Sequence, residues 1–421
     1  MHQRYLLIFS LVLVGEAIFS LPFHVARFFR PSFLEVFNFS NADLGDVFAV
    51  YGVTAMLAYF PGGMLADRFS ARKLLTFSLI ATAAGGLYMA SIPGILGMSV
   101  LFAYWGVTSI LLLWAALIRT TREWGGSLSQ GRAFGILDGG RGLLAAGLAS
   151  IAVVLFSAAL GVESTVGNHE NQINALVTVI YFYTATTFIA GIIAWFFIPN
   201  SQSVGKSDPS TNVVAVLRQP IVWAQALIVV CAYCGYKGLD NYALYAVDVL
   251  GMSEVDAAAF TAASAYLRPI AAIAAGFAAD RYRASTLIAF LFLILIASYG
   301  FLGLESPESK GTKILFANIF LTFAGVYGFR GVYFALLQET QVPSRVTGTA
   351  VGLISLIGFT PDVFFAAVGG RLLDNAPGLV GHQHYFLLLS SIMAVGVFAT
   401  ATLIHLVKRQ TQALSESKSG L

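Results

Sequence analysis

The sequence predicts an all-α integral membrane protein with twelve spanning helices in two six-helix, pseudo-symmetric halves, and three observations predict it. Of the 421 residues, 57% are hydrophobic and only 11% are charged, where a soluble globular chain carries about 25% charge. The mean hydropathy is +0.79. Apolar stretches long enough to cross the hydrocarbon core, about 20 residues each, recur along the whole chain. Two motifs also repeat at one fixed offset, the mark of an internal duplication.

The stretches fall near 5–29, 43–66, 73–92, 95–118, 132–160, 172–198, 219–250, 255–279, 284–304, 312–338, 345–372 and 382–406. Pro31 with Asn41, the segment Asp67 to Lys73, Pro93-Gly94 and the polar run from Asn200 to Gln219 punctuate them. The first stretch follows Arg4 without a small-residue cleavage site, so it reads as a retained span and not a signal peptide. An even number of spans puts both ends on one side. Arg4, Arg68, Arg72, Lys73, Arg119, Arg122, Arg132, Lys206, Arg218, Arg281, Arg283, Arg345, Lys408, Arg409 and Lys418 gather on that side, against Arg27, Arg30, Lys310, Lys313 and Arg371 on the other. The bias makes the termini cytoplasmic. The organisation that follows is a first half over 1–198, a cytoplasmic linker over 199–218, a second half over 219–407 and a cytoplasmic tail over 408–421.

Gly63, Asp67 and Arg68 after the second span match Gly276, Asp280 and Arg281 after the eighth, and Arg132 and Gly135 match Arg345 and Gly348; both matches have an offset of 213. The first of these motifs, Gly63-x-x-x-Asp67-Arg68-x-x-x-Arg72-Lys73, resembles the signature loop of the major facilitator superfamily. Its second, degenerate copy sits where that family places one. The resemblance covers the whole chain, departing at Ser70, where the family usually has Gly. It implies a secondary transporter working by alternating access. It also implies a gating latch at Gly63, Asp67, Arg68, Arg72, Arg132, Asp280 and Arg281, for which a purely topological anchor is the alternative. In residue terms, Asp67 can cap a neighbouring helix while the basic groups hold the loop at an anionic leaflet. The fifth span carries Gly135, Gly139, Gly140, Gly142 and Gly147, small residues that suit either a moving seam or static close packing. The Pro of the family's antiporter signature is absent from it, so the direction of coupling stays open.

Ionisable groups within the spans are few, and each is costly in hydrocarbon unless it pairs or lines a pathway. Asp138 with Arg141, and Lys237 with Asp240, are three apart and can neutralise themselves on one helix face. Arg268 and Arg330 have no opposite charge within a turn of their own helices, and Arg27 has only His24. Such cations suit an anion-attracting cavity, with Tyr236 beside Lys237 as a further lining residue. Pairing across helices with Glu16, Asp240 or Asp362 would instead leave a nearly neutral cavity. Glu16, then His24 and Asp362, are the candidates for proton coupling.

A narrower resemblance starts from Arg27 and Arg30, Asn41 to Gly45, Tyr51-Gly52 and the segment Tyr236-Lys237-Gly238-Leu239-Asp240. Together these are similar to the organic-anion carriers of the organophosphate:phosphate antiporter branch. That resemblance implies a phosphate clamp in which Arg27 supplies one guanidinium. The second position falls at Gly235, which Lys237 would have to replace with a point charge instead of a fork. The function expected is therefore secondary transport of a small organic anion, by proton coupling or by exchange. A facilitator or proton symporter of a neutral solute such as a sugar or peptide is the alternative, as is a non-transporting receptor of the same fold. No phosphate-binding loop of the G-x-x-x-x-G-K-[ST] type occurs, so neither an enzyme nor an ATP-driven pump is supported. Neither the Cys231-x-x-Cys234 pair nor His382-x-His384 has the further ligands that a metal site needs. The expected partners are an anionic small molecule and lipid, with no cofactor and, at a net charge of +3, no nucleic acid. A monomer in the bacterial inner membrane is expected.

Overall fold

The computed structural model describes residues 2–125, 130–161, 169–200, 218–304, 312–333, 336–340 and 347–419. Among them every regular element is helical. Ten helices are long and apolar enough to cross a membrane. They take the places of the first span (Arg4–Phe28), the fourth to tenth (Ile95–Gly125, Ala133–Leu160, His169–Phe197, Pro220–Asp248, Glu254–Ala279, Ala284–Leu304 and Lys313–Val332), the eleventh (Leu353–Asn375) and the twelfth (Leu379–Gln412). The stretches read as the second and third spans are the helices Asn41–Arg68 and Ala71–Met89. Leu57, Leu96, Phe196, Phe277 and Phe398 are all at least 70% exposed, as side chains meeting lipid should be. The linker expected over 199–218 lies almost entirely outside the described residues.

Local sequence explains where the helices begin and change pitch. The first span carries Pro22, which has no N–H to give to the turn before it, and the chain there widens into a π-helical segment, Ser20–His24. A short helix, Arg30–Phe37, ends on Asn38 in the left-handed region (φ 52°). Ser40 then starts the second span with a capping box. Its hydroxyl accepts from the Asp43 N–H, and the Asp43 carboxylate accepts from the Ser40 N–H at 2.9 Å. Ser253 caps the eighth span in the same manner through the Asp256 N–H. The seventh span is interrupted over Leu239–Asn241 by a tighter 3₁₀ turn.

The chain divides into two compact units. One comprises 1–205 with 239–269 and 362–382, the other 206–238 with 270–361 and 383–421. The first unit thus takes segments of the seventh, eighth, eleventh and twelfth spans together with the first six. It holds two apolar clusters. Phe28, Phe33, Phe102, Trp105, Phe156 and Tyr183 belong to one, and Leu11, Val14, Leu75 and Leu117 to the other. The first span threads both, with Glu16 flanked by Val14 and Ala17 of the second cluster and His24 flanked by Leu21 and Val25 of the first.

Candidate functional site

Burying a charge in an apolar core is tolerated only when partners replace water. The first unit meets that condition with a network of carboxylates and guanidinium groups from four spans. Glu16, 2% exposed, accepts a hydrogen bond from Arg141 Nε at 3.0 Å and lies 3.2 Å from His24 Nε2 and 3.8 Å from Arg268 Nη1. Arg268 in turn donates from Nη2 to Asp138 Oδ1 at 2.8 Å. The Asp138 side chain is 28% exposed and is the open end of the network. Gly142 makes room for this geometry, since a Cβ there would stand 2.9 Å from the Arg268 Cγ and Cδ. Gly15 likewise clears the Arg141 stem, where a Cβ would meet Cδ at 3.2 Å. Arg141 also lies over the Phe19 and Trp114 rings, at 5.5 and 5.8 Å from their centroids.

Arg27, also buried, donates from Nε to Asp240 Oδ1 at 2.5 Å. The two positions are separated by 213 residues, the same offset at which the sequence motifs recur. These bonds join helices that lie far apart in the sequence, beyond the pairing expected along single helices. Asp138 bonds Arg268 on the eighth span, Arg141 bonds Glu16 on the first, and Asp240 bonds Arg27. Arg27 and Arg268 are therefore neutralised across the bundle rather than exposed as unpaired cations. Nothing within a helical turn signalled these partners, because they lie 125 or more residues away.

The remaining expected solute ligands fall in the second unit. Lys237 is buried there at 4% exposure. Arg330 lies over the Tyr236 ring at 4.4 Å, and Tyr236 stacks on Tyr233, which meets Phe359 edge-on at 4.9 Å. Gly235, the position of the second clamp residue, packs against Met393 and Val326. Cys231 and Cys234 are buried free thiols.

Of the gating residues, Arg72 donates from Nε to the Ile198 carbonyl at 2.6 Å, satisfying the end of the sixth span. Gly63 is partly buried in its helix, and Arg68 and Arg281 are exposed. The side chains of Asp67, Arg132 and Asp280 lie outside the described residues. Asp362 opens the helix Pro361–Asn375, and its backbone carbonyl lies so close to Gly52 that no Cβ fits between them.

Sequence reasoning missed a polar seam at the end of the first span remote from the N-terminus. Asp374 accepts from the Asn41 N–H at 3.1 Å and the Ala42 N–H at 2.6 Å, and from Asn41 Nδ2 at 3.1 Å, so a carboxylate of the eleventh span caps the second. Arg371 forks onto Asp46 at 2.8 and 3.0 Å. Ser32 donates to Glu254, and Arg30 donates twice to Asn41 Oδ1. His382 is buried with Nε2 at 3.1 Å from Asp248. The signal for the seam was Arg371 and Asp374 in the last turn of the eleventh span, on either side of Leu372 and Leu373.

The family model described as Major Facilitator Superfamily matches residues 12–366. The chain is a member of the major facilitator superfamily. This is a family of transporters and not of enzymes, which assigns the chain to secondary transport. Among its relatives, inner membrane protein YihN of Escherichia coli K12 is 28% identical over 98% of both chains. Inner membrane protein YqcE of the same strain is 27% identical over 91% of this chain and 90% of its own. A probable nitrate/nitrite antiporter, NarK1 of Thermus thermophilus, is 25% identical over 78% and 77%. The solved nucleoside transporter NupG superposes with a TM-score of 0.73 over 96% of this chain and 99% of its own, at 14% identity. A bacterial homologue of the lysosomal transporter Spinster gives 0.66 over 96% and 95%, at 17%. These superpositions establish the major facilitator fold.

Proposed function

We propose that this major facilitator protein carries a small organic anion across the bacterial inner membrane, as a monomer with both termini cytoplasmic. One observation carries the reading. Three buried guanidinium groups, Arg27, Arg141 and Arg268, are each held by a carboxylate from another helix. A carboxylate, sulfonate or phosphate group on a solute is anionic and offers at least two acceptor oxygens to a guanidinium fork, so it can replace Asp240 or Asp138 on its arginine. Partner exchange of this kind keeps each cation satisfied whether or not solute is bound. It also lets a bound solute break a contact that ties the first span to the seventh, or the fifth to the eighth. Replacement at Asp138 is favoured because that carboxylate is the partly exposed one. The inner-membrane placement draws on the names of YihN and YqcE, and the anion on the cargo in the name of NarK1.

The charge balance of the same network supports a second reading. Three carboxylates against three guanidinium groups leave no net attraction for an anion, and the similar solved transporter NupG is named for nucleosides. A neutral polar solute would then bind away from these groups while the ion pairs serve the helices alone. Counterflow in proteoliposomes separates the two readings. Vesicles loaded with carboxylates, sulfonates, phosphate monoesters, nucleosides or sugars are expected to accumulate labelled external solute only for members of the acid classes. Stabilisation and exchange confined to neutral solutes would remove the anion assignment. Binding without any exchange would make the chain a receptor.

A further inference from the structure

Within this network one buried titratable side chain, among the described residues, has no part in holding the arginines. His24 is 2% exposed, and its Nε2 lies 3.2 Å from Glu16 Oε1. A carboxylate oxygen only accepts, so the neutral ring keeps its hydrogen on Nε2 and presents a bare lone pair at Nδ1. That atom is buried and has no hydrogen-bond partner among the described residues. The ring meets Phe28 and Tyr183 edge-on, at 5.6 and 5.9 Å between centroids, and the Tyr183 hydroxyl is likewise unpartnered among the described residues. The charged groups that act on the ring are Glu16 and Arg27 of its own span and Arg268 of the eighth. Arg141 and Asp138 of the fifth complete the surroundings through Glu16 and Arg268.

With His24 neutral, Glu16 and Asp138 balance Arg141 and Arg268, and Asp240 balances Arg27. A monoanion entering this network adds a negative charge to a set of pairs already in balance, and an uncompensated charge in a low-dielectric interior is costly. A proton at Nδ1 supplies the missing positive charge without breaking an existing bond. Glu16 is the poorer acceptor, because both its oxygens are already engaged by Arg141 and His24, so a proton there must displace a donor.

We propose that His24 Nδ1 takes up the proton that travels with each anion, so that the protein works as an electroneutral proton–monoanion symporter. The proton comes from water on the side of entry and returns to water on the other, with no other bond made or broken. This rests on the anion reading above. Linkage makes the effect reciprocal. The factor by which a proton on His24 raises anion affinity is the factor by which the anion raises proton affinity.

The experiment uses full-length protein in proteoliposomes that enclose a pH-sensitive dye. The external probe is a mixture of alkanesulfonates, monocarboxylates and phosphate monoesters, and accumulated solute is read by mass spectrometry. Sulfonates do not cross lipid as neutral acids, so acidification in their presence reports the carrier. With the outside acidic, wild type is expected to concentrate at least one acid, to acidify the lumen in step with it, and to lose both when a protonophore is added. His24→Gln is expected to retain exchange at equal pH on both sides and to lose gradient-driven accumulation and its pH dependence. Accumulation by the variant equal to wild type would overturn the proposal. So would wild-type uptake without luminal acidification, a measurement that stands even if the variant does not fold. Exchange without gradient-driven accumulation removes the proton step alone, whereas movement of no acid in either mode removes the anion reading and this step with it.

Discussion

At the scale of single residues, the Arg27–Asp240 bond joins a buried guanidinium to a buried carboxylate on another helix. Both partners are buried and the separation is 2.5 Å. Removing one partner of a buried pair leaves the other as an unpaired charge, which costs about 3–5 kcal/mol, more than the intact pair itself contributes. Asp240→Asn is therefore expected to destabilise the protein by roughly that amount in detergent unfolding. Arg27→Gln combined with Asp240→Asn should recover part of the loss, because no lone charge remains. If the double variant is no more stable than Asp240→Asn, the unpaired-charge account of the site is wrong. Arg268→Lys is a complementary substitution. Lysine keeps the charge but cannot reach Glu16 and Asp138 as a fork does, so solute affinity should fall while the protein stays folded.

At the scale of elements, the second and eleventh spans approach backbone to backbone. Gly45 and Gly52 face carbonyls of Ala366 and Asp362, and Gly370 faces that of Asn41, with no space for a Cβ at any of the three. A side chain at Gly52 must push the helices apart. Gly52→Val is expected to lower the melting temperature and abolish exchange, while Gly147→Ala, where a Cβ meets nothing within 4 Å, should be neutral. The Asp374 cap on the second span predicts a smaller effect. Losing a capping carboxylate costs about 1 kcal/mol, so Asp374→Ala should shift thermal unfolding modestly. Asp374→Asn, which keeps an acceptor oxygen, should recover much of that shift.

At the scale of the whole molecule, the proposed transport by alternating access predicts that the seam between the second and eleventh spans parts and closes again in each cycle. The forked Arg371–Asp46 pair sits on that seam with both side chains about half exposed, where solvent screens an ion pair and leaves it weak. A contact of that strength can open in each cycle. Cysteines at 46 and 371 joined by a reducible bis-maleimide should stop solute exchange, and reduction should restore it. Exchange that continues in the cross-linked protein would mean that the seam does not move.

The membrane-spanning, duplicated, helical character of the chain was legible in the sequence because it depends on short-range pattern. Apolar runs of span length, the breaks between them, and motifs recurring 213 positions apart all lie within reach of a linear reading. So did the identity of nearly every buried charge, since an ionisable residue inside an apolar run announces itself. Their pairing was not legible. Arg27, Arg141 and Arg268 find carboxylates on other helices, and those partners are selected by which helix faces meet, a property of packing with no trace in local spacing. The tertiary structure alone decided that these cations are neutralised, that His24 is left with a bare ring nitrogen beside them, and that Asp374 reaches across to cap a helix more than three hundred residues earlier. Hydropathy acts residue by residue along the chain, whereas charge neutralisation in a low-dielectric core is settled among groups that only folding brings together.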